Sequence, residues 1–269
     1  MAKKQTEDES GGFRRWLLIG TVSCGVFVLA FGGIYAFGKV ENFLIRDARF
    51  AIPAPKDYGD ESANIHISGV KHASPDRIRA AFTRDIGRSL YLFPVAERRR
   101  NLLAVDWVKE ATVQRVWPNE IRVQITERTP VAFVPVGKKE STTQRFALID
   151  EEGQILTLND KAQFHIPVLL GAGQELPMEQ RQERLRRVMR LLTEIGPLVE
   201  NVSEIDVTDP ESLRVTMEAG GRVVTLLLGR EHFAARLRNF LNHEEEIRRR
   251  LPEKLVLDLR LEDRITAME

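Results

Sequence analysis

The distribution of apolar residues divides the chain into one uninterrupted hydrophobic run and a longer region of mixed periodicity. Residues 16–38 contain no charged side chain and consist mainly of Leu, Ile, Val, Phe and Gly. This run is long enough to cross the hydrocarbon core of a bilayer, and it predicts a transmembrane helix. A cleaved signal peptide is the rival interpretation, with Ala36-Phe37-Gly38 as its cleavage site, although the run exceeds the ~7 to 15 residues of a signal core.

Polar segments flank this helix. Residues 1–15 are the predicted leader, and their first part, MAKKQTEDESGG, has no apolar periodicity and is expected to be disordered. Arg14 and Arg15 abut the helix, and this slight excess of positive charge favours a cytoplasmic N-terminus, with the rest of the chain on the other side of the membrane. Residues 39–61 include PAPKDYGD and are typical of a linker, because proline and short polar residues interrupt regular structure.

Residues 62–128 predict a small two-layer domain. Residues 64–68 alternate polar and apolar side chains as a strand and stop at Gly69, while a hairpin with a Pro118-Asn119 turn follows Trp107. Between them lie two helices, the first with Ser74 as its N-cap. The first helix is expected to end at Gly87, and Val95, Leu102 and Leu103 line the second. The order strand, helix, helix, strand, strand favours two helices on one face of a three-stranded sheet, an α+β arrangement.

Residues 129–269 predict a second, β-rich domain with two helices. A hairpin is expected at residues 146–156, and strands are expected at 202–207, 212–218 and 222–228. The first helix carries an apolar stripe and ends at Gly196-Pro197, whereas the second follows residue 232. The two stripes consist of Leu185, Val188, Met189, Leu192 and Ile195, and of Phe233, Leu237, Phe240, Leu241 and Ile247.

Charge and cysteine content exclude several classes of function. Four of the 40 basic and three of the 39 acidic residues precede Lys39, so the rest of the chain is neutral overall and has no nucleic-acid footprint. The arginine runs 98–100 and 248–250 are interpreted as solvated helix faces. The single cysteine, Cys24, lies in the hydrophobic run, so neither an intramolecular disulfide nor a cysteine-based metal site is expected.

The sequence also contains no complete catalytic motif among those considered. Ser68 and Lys71 fit the S-x-x-K motif of penicillin-binding enzymes, but Ser-Asp-Asn and Lys-Thr-Gly occur nowhere in the chain. The five histidines lack the spacing of a metal site, and the Glu127-Arg128 pair is interpreted as a solvated or interdomain ion pair. We therefore expect no catalytic residue, no metal and no cofactor.

These motifs carry a family resemblance. A strand ending in ISGV, a Ser-capped helix, the segment G-x-S-L-Y-L-F and the run WVKEATVQRVWPNEIRVQITERTPVA resemble the POTRA domain of the bacterial division proteins FtsQ and DivIB. The remainder is similar to the second, β-rich domain of that family, including D-x-R at Asp258 and Arg260. The resemblance implies a single-pass protein of the bacterial inner membrane, with both domains outside the cytoplasm at the division septum. It further implies a non-enzymatic scaffold that bridges early and late division proteins.

The last predicted strand is the candidate binding surface. Leu255, Leu257, Leu259 and Leu261 are expected to face the core, opposite Val256, Asp258 and Arg260. A terminal strand at a sheet edge can accept a partner's strand, with Arg260 available for a partner carboxylate, but a blunted edge with a frayed tail fits the residues equally well. The resemblance implies that the coiled-coil proteins FtsB and FtsL dock here, on Asp258, Arg260, Leu261 and Arg264. The chain differs from the family pattern in stopping at Glu269 and in carrying leucine at 261, where an aromatic residue is common.

Two other functions are compatible with parts of the pattern. A POTRA domain also occurs in polypeptide-handling proteins of outer-membrane assembly or secretion, but those proteins usually have a cleaved signal and a membrane β-barrel. An envelope hydrolase would need Ser68 as its nucleophile, and the partners of that nucleophile are missing.

Overall fold

The structure is a computed structural model, which describes residues 9–53, 64–137, 145–158, 162–251, 255–261 and 264–268. Part of the predicted leader (residues 1–8), part of the predicted linker (54–61) and Glu262 and Asp263 lie outside the described residues. The chain forms two compact units. The first comprises residues up to Ser68, Arg79–Arg100 and Thr112–Gln124, and the second comprises Gly69–Ile78, Asn101–Ala111 and Ile125–Glu269.

A single long helix, α1, opens the first unit. It runs from Glu9 to Arg46, and its segment Ser23–Arg46 is long and apolar enough to cross a membrane. The helix therefore begins within the leader, in the part expected to be disordered through Gly12, and continues into the segment predicted as a linker. After a 3-10 turn at Ala48–Phe50, the fully buried Ile52 donates its N–H to the carbonyl of Arg88 over 2.9 Å. Residues 39–53 of the predicted linker thus belong to α1, to the 3-10 turn, or to the segment that bonds to Arg88.

The predicted order strand, helix, helix, strand, strand is confirmed. The elements are β1 (Ile65–Ser68), α2 (Pro75–Ala80), α3 (Val95–Leu103), β2 (Val108–Val116) and β3 (Glu120–Glu127). The sheet has the order β1-β3-β2, and β1 runs parallel to β3 with Ile65 opposite Ile121. On β3 the predicted alternation holds, because Ile121, Val123 and Ile125 are all buried. Helix α2 is shorter than expected: it ends at Ala80, and a 3-10 turn at Thr83–Asp85 follows it.

Among the described residues, a nine-stranded sheet and two helices make up the rest of the second unit. The strands are β4 (Pro130–Val136), β5 (Arg145–Asp150), β6 (Ile155–Leu156), β7 (Val168–Leu170), β8 (Val202–Asp206), β9 (Leu213–Ala219), β10 (Arg222–Gly229), β11 (Val256–Asp258) and β12 (Thr266–Ala267). The helices are α4 (Met178–Ile195) and α5 (Phe233–Arg250). The strand order is β12-β11-β10-β9-β8-β7-β4-β5-β6.

The core of this unit lies between the sheet and one face of each helix. Helix α4 buries Leu185, Val188, Leu191 and Ile195, and α5 buries Phe233, Leu237 and Phe240. The predicted helices and strands are confirmed, but Leu191 replaces Met189 and Leu192 as a fully buried member of the α4 stripe. A 3.6-residue period places all three near the apolar face, and only packing decides which of them is enclosed.

Two sequence-based interpretations of charged residues are wrong. Arg98 does not lie on a solvated helix face, because it is buried and pairs with Asp85. Glu127 and Arg128 do not pair with one another in the described contacts. The Glu127 carboxylate accepts backbone N–H groups of residues 71–73, and Arg128 pairs with Asp150 and Glu152.

Candidate functional site

The last strands of the sheet occupy the position predicted for the binding surface. Strand β11 pairs in parallel with β10, with Leu226 opposite Leu257. On its other side, β11 pairs antiparallel with β12, with Leu257 opposite Ala267 and Asp258 opposite Thr266. The two-residue strand β12, and not β11, therefore forms the edge of the sheet. The sequence shows no period-2 pattern in a strand this short, so the alternation alone could not identify it.

The predicted leucine face is only partly in the core. Leu257 and Leu259 are buried, and the N–H of Leu259 donates to the carbonyl of Leu227 over 3.0 Å. Leu255 and Leu261 are 49% and 52% exposed, because each lies beyond an end of the three-residue strand. The expectation that all four leucines face the core is therefore wrong for these two, and Leu261 presents an apolar side chain to the surface.

Asp258 and Arg260 form an ion pair within the candidate site. Nε of Arg260 donates to Oδ1 and Oδ2 of Asp258 over 2.9 and 3.0 Å, and Nη2 donates to Oδ2 over 2.6 Å. The backbone N–H of Arg260 also donates to Oδ1 over 3.0 Å, so the carboxylate holds both the side chain and the main chain of Arg260. Arg260 is thus already bound to a carboxylate of its own chain, which the strand alternation did not reveal.

This pair changes the protonation equilibria of both groups. The hydrogen bonds from Arg260 hold the pKa of Asp258 below its ordinary value, and Arg236 lowers it further through its charge. Hydrogen bonding to Asp258 raises the pKa of Arg260 above its ordinary value. Both groups are consequently charged at neutral pH, and the guanidinium has a fixed orientation.

Two residues that the sequence analysis missed lie next to this pair. Gly229, at the end of β10, has a φ of +71°, and a Cβ there would lie 2.7 Å from Nη1 of Arg236 and 3.4 Å from Cγ of Arg260. Nη1 of Arg236 donates to the carbonyl of Leu228. Gly229 therefore leaves space for two arginines at the end of the strand. A glycine directly after the apolar run of β10 is the only signal in the sequence, and it is weak.

The remaining predicted residue lies close to the chain end. Arg264 is exposed and precedes Ile265, which packs partly against the core, and then β12. Met268 is 40% exposed, and its N–H donates to the carbonyl of Val256 over 3.0 Å. The structure thus brings Asp258 and Arg260 together as a pair, with the exposed Leu261 directly after them.

Elsewhere, the candidate catalytic groups are engaged in structural contacts. Oγ of Ser68 donates to the carbonyl of Val123 over 3.2 Å and so contributes to the pairing of β1 with β3. The ring of His72 packs against Trp107 and Phe164, with centroid distances of 5.2 and 5.3 Å. In the parts of the chain that the structure describes, no three His, Cys, Asp or Glu residues are grouped so that they could hold a metal ion.

Two family profiles match the chain. The family described as "POTRA domain, FtsQ-type" matches residues 61–128, and the one described as "Cell division protein FtsQ/DivIB, C-terminal" matches residues 140–260. The chain belongs to the FtsQ/DivIB family. The C-terminal match includes Asp258 and Arg260 and stops before Leu261 and Arg264.

Individual FtsQ proteins are similar over most of this chain. "Cell division protein FtsQ" of Koribacter versatilis is 32% identical over 212 residues, which cover 77% of this chain and 59% of that protein. "Cell division protein FtsQ" of Salinibacter ruber is 26% identical over 217 residues, which cover 75% of this chain and 80% of that protein. The match thus spans little more than half of the Koribacter relative and most of the Salinibacter one.

Proposed function

We propose that this FtsQ/DivIB-family chain is a non-enzymatic, single-pass scaffold of the bacterial division machinery. In this proposal α1 anchors the chain in the cytoplasmic membrane, with its N-terminus in the cytoplasm and both folded domains outside it at the septum. The chain connects early and late division proteins by recruiting FtsB/FtsL-like coiled-coil partners. Membership of a family of cell division proteins and the apolar length of α1 support it.

The observation that carries the proposal is the edge of the sheet formed by β12. Strand β12 pairs with Leu257 and Asp258 of β11, and the N–H of Met268 donates to the carbonyl of Val256, so the outer side of β12, and not β11, can offer main-chain donors and acceptors to an added strand. Leu261 and Met268 are exposed apolar side chains beside that edge. An extended or helical segment of a partner can therefore combine main-chain hydrogen bonds with apolar contacts.

Arg260 contributes charge to the same surface even though it is paired. Its described hydrogen bonds to Asp258 use Nε and Nη2, and a guanidinium has five N–H donors, so Nη1 can still donate to a partner carboxylate. Because Asp258 fixes the guanidinium, little side-chain entropy is lost when a partner binds. Arg264 adds a second positive charge nearby in sequence.

A binding assay with the full chain tests the proposal. Replacing Arg260 and Leu261 together with alanine is expected to weaken capture of an FtsB-like partner from detergent-solubilised membranes by about 30-fold, the value for a hot spot of ~2 kcal/mol. Phe146→Ala is the matched control, because Phe146 is 39% exposed on β5 towards the other edge of the same sheet. Equal capture by the double variant and the parent would refute this binding surface.

A cellular experiment tests the role in division separately. Depletion of the chain is expected to produce filaments that lack septa, and the parent sequence, but not the double variant, should restore division. Cells that continue to septate after depletion would refute the scaffold function itself, whatever the binding assay shows.

A further inference from the structure

Three aromatic side chains form a cluster where α1 leaves its apolar segment. The rings of Phe43 and Phe50 meet edge to face with centroids 5.6 Å apart, and Phe50 meets Trp117 in the same manner, also at 5.6 Å. Phe43 is 48% exposed and Trp117 is 50% exposed. Single exposed apolar residues are common, but exposed aromatic rings that contact one another form an apolar patch, and such patches mark interaction sites.

Trp117 belongs to the β2–β3 hairpin. Other contacts of the first unit join residues 87–89 to the end of α1 and to the segment that follows it. Oγ of Ser89 donates to the carbonyl of Leu44 on α1 over 2.6 Å, and Ala51 forms an isolated bridge with Ser89. The N–H of Gly87 donates to the carbonyl of Ile52 over 2.8 Å. Within this unit, residues 87–89 are therefore held next to the end of the helix, and the contact between Phe50 and Trp117 places the hairpin tip beside them.

The position of Phe43 along α1 places the cluster at the outer limit of the lipid headgroup layer. Counted from Gly38, where the uncharged run ends, Phe43 lies about 7 to 8 Å farther along the helix at 1.5 Å per residue. The headgroup region on each side of the hydrocarbon core is roughly 5 to 7.5 Å thick, so Phe43 lies at its outer limit. Trp favours this layer, because its ring is apolar and its N–H is polar, whereas Phe has no polar group and contributes apolar area only.

The charges around the cluster are nearly balanced. Between Lys39 and Phe50 the chain has three basic residues, against the acidic residues Glu41 and Asp47. Arg49 pairs with Asp47 over 2.9 Å, and its guanidinium lies 5.4 Å from the Phe43 ring centroid. A zwitterionic lipid surface fits this composition without a need for anionic lipid.

We propose that Phe43, Phe50 and Trp117 form a membrane-contact surface through which the β2–β3 hairpin of the POTRA domain rests in the headgroup layer of the bilayer that α1 spans. The proposal rests on the membrane anchorage of the proposed function. It adds that the folded region after α1 is seated on the lipid surface and does not swing freely at the end of a linker.

The three tryptophans of the chain provide the test, because each has a different expected environment. Trp117 is in the cluster, Trp16 lies at the start of the uncharged run, and Trp107 is 2% exposed and donates to the carbonyl of Thr157. The full chain is reconstituted in bilayers of phosphatidylcholine that is either unmodified or brominated high on the acyl chain, close to the glycerol. Bromine quenches only tryptophans that contact it.

Trp16→Phe, which retains Trp117, is expected to lose fluorescence in brominated bilayers relative to unmodified ones. The double variant Trp16→Phe with Trp117→Phe is expected to show no such loss, and the unchanged emission of Trp107 would show that it is folded. Equal intensity of Trp16→Phe in both lipids would overturn the membrane-contact surface.

Trp117→Phe, which retains Trp16, separates this result from a failure of the anchor. If Trp16 is quenched and Trp117 is not, α1 is inserted and only the contact surface is refuted. If neither is quenched, α1 is not inserted, and both the anchorage and the contact surface are overturned.

Discussion

Arg98 and Asp85 form a buried ion pair in which two nitrogens of the guanidinium meet two oxygens of the carboxylate. Nε of Arg98 donates to Oδ2 over 2.6 Å, and Nη2 donates to Oδ1 over 3.0 Å. The two side chains are only 5% and 2% exposed. Hydrogen bonding to Asp85 raises the pKa of Arg98, which therefore remains charged. The pair connects α3 to the 3-10 turn at Thr83–Asp85.

Asp85→Ala is expected to destabilise the protein by about 3 to 5 kcal/mol, because it leaves the Arg98 guanidinium buried without its main partner. Thermal unfolding of the full chain in detergent micelles, followed by tryptophan fluorescence, measures the effect. Arg100→Ala on the exposed face of the same helix is the control, with an expected change within about 0.5 kcal/mol.

Replacing both Asp85 and Arg98 separates the free-energy cost of burying two charges from the stabilisation that their attraction provides. Asp85→Leu combined with Arg98→Met removes both charges, and this variant is expected to be more stable than Asp85→Ala. If the double variant unfolds at a lower temperature than the parent, the attraction between the two charges outweighs the cost of burying them. If it unfolds at a lower temperature than Asp85→Ala, an unpaired buried Arg98 is not the cause of the loss in Asp85→Ala.

Gly69 ends β1 in a conformation that excludes a side chain. Its φ is +85°, and a Cβ would lie 1.9 Å from the backbone oxygen of Ile125. Gly69→Ala is therefore expected to cost more than the ~1 to 3 kcal/mol of the left-handed backbone alone. Gly87→Ala is the matched control, because Gly87 has a φ of +80° with no atom within 4 Å of its Cβ position. Equal losses for the two variants, measured by thermal unfolding, would show that the close approach to Ile125 costs nothing.

The Glu127 carboxylate accepts backbone hydrogen bonds from the turn that follows β1. It accepts the N–H groups of Lys71, His72 and Ala73 over 2.8, 2.9 and 2.8 Å. Hydrogen bonds to a charged group are worth more than neutral ones, so Glu127→Ala is expected to destabilise the protein by about 1.5 to 3 kcal/mol. Glu127→Gln keeps one acceptor oxygen and should fall in between.

Glu110 is the control for this measurement, because it is an exposed glutamate on β2. Glu110→Ala is expected to shift the unfolding midpoint by no more than an ordinary surface substitution, within about 0.5 kcal/mol. A similar loss for Glu110→Ala and Glu127→Ala would contradict a specific role of the Glu127 carboxylate.

Elements with a strong period were predictable from the sequence, and contacts between distant elements were not. Strand β9 alternates apolar and polar residues, β10 is an apolar run after the glycine turn at 220–221, and α4 has an apolar stripe and a Gly-Pro end, so each has a local signal. The burial of Arg98 depends on a carboxylate in a separate 3-10 turn, which helix periodicity does not report. Likewise, the alternation around Asp258 located a strand but not its neighbours, so the edge position of β12 and the pairing of Arg260 required the fold.

Asp258 is expected to make the stability of the second unit depend on pH in the acidic range. Arg260 lowers the pKa of Asp258 in the folded state, so the folded form binds this proton more weakly than the unfolded form does. The stabilisation is therefore complete above the ordinary aspartate pKa of about 3.9 and is lost as the pH falls through the lower folded value.

The difference in unfolding midpoint between the parent and Asp258→Asn should be largest above about pH 4 and shrink below it. Asp206→Asn is the control, because Asp206 accepts the N–H of Thr208 over 2.8 Å and an asparagine can accept the same bond. Asp206 lies opposite Arg214 on β9, but no ion pair between their side chains is present among the described residues. A difference for Asp258→Asn that stays constant from neutral pH to below pH ~3 would mean that the Arg260 pair adds no stability to the folded state.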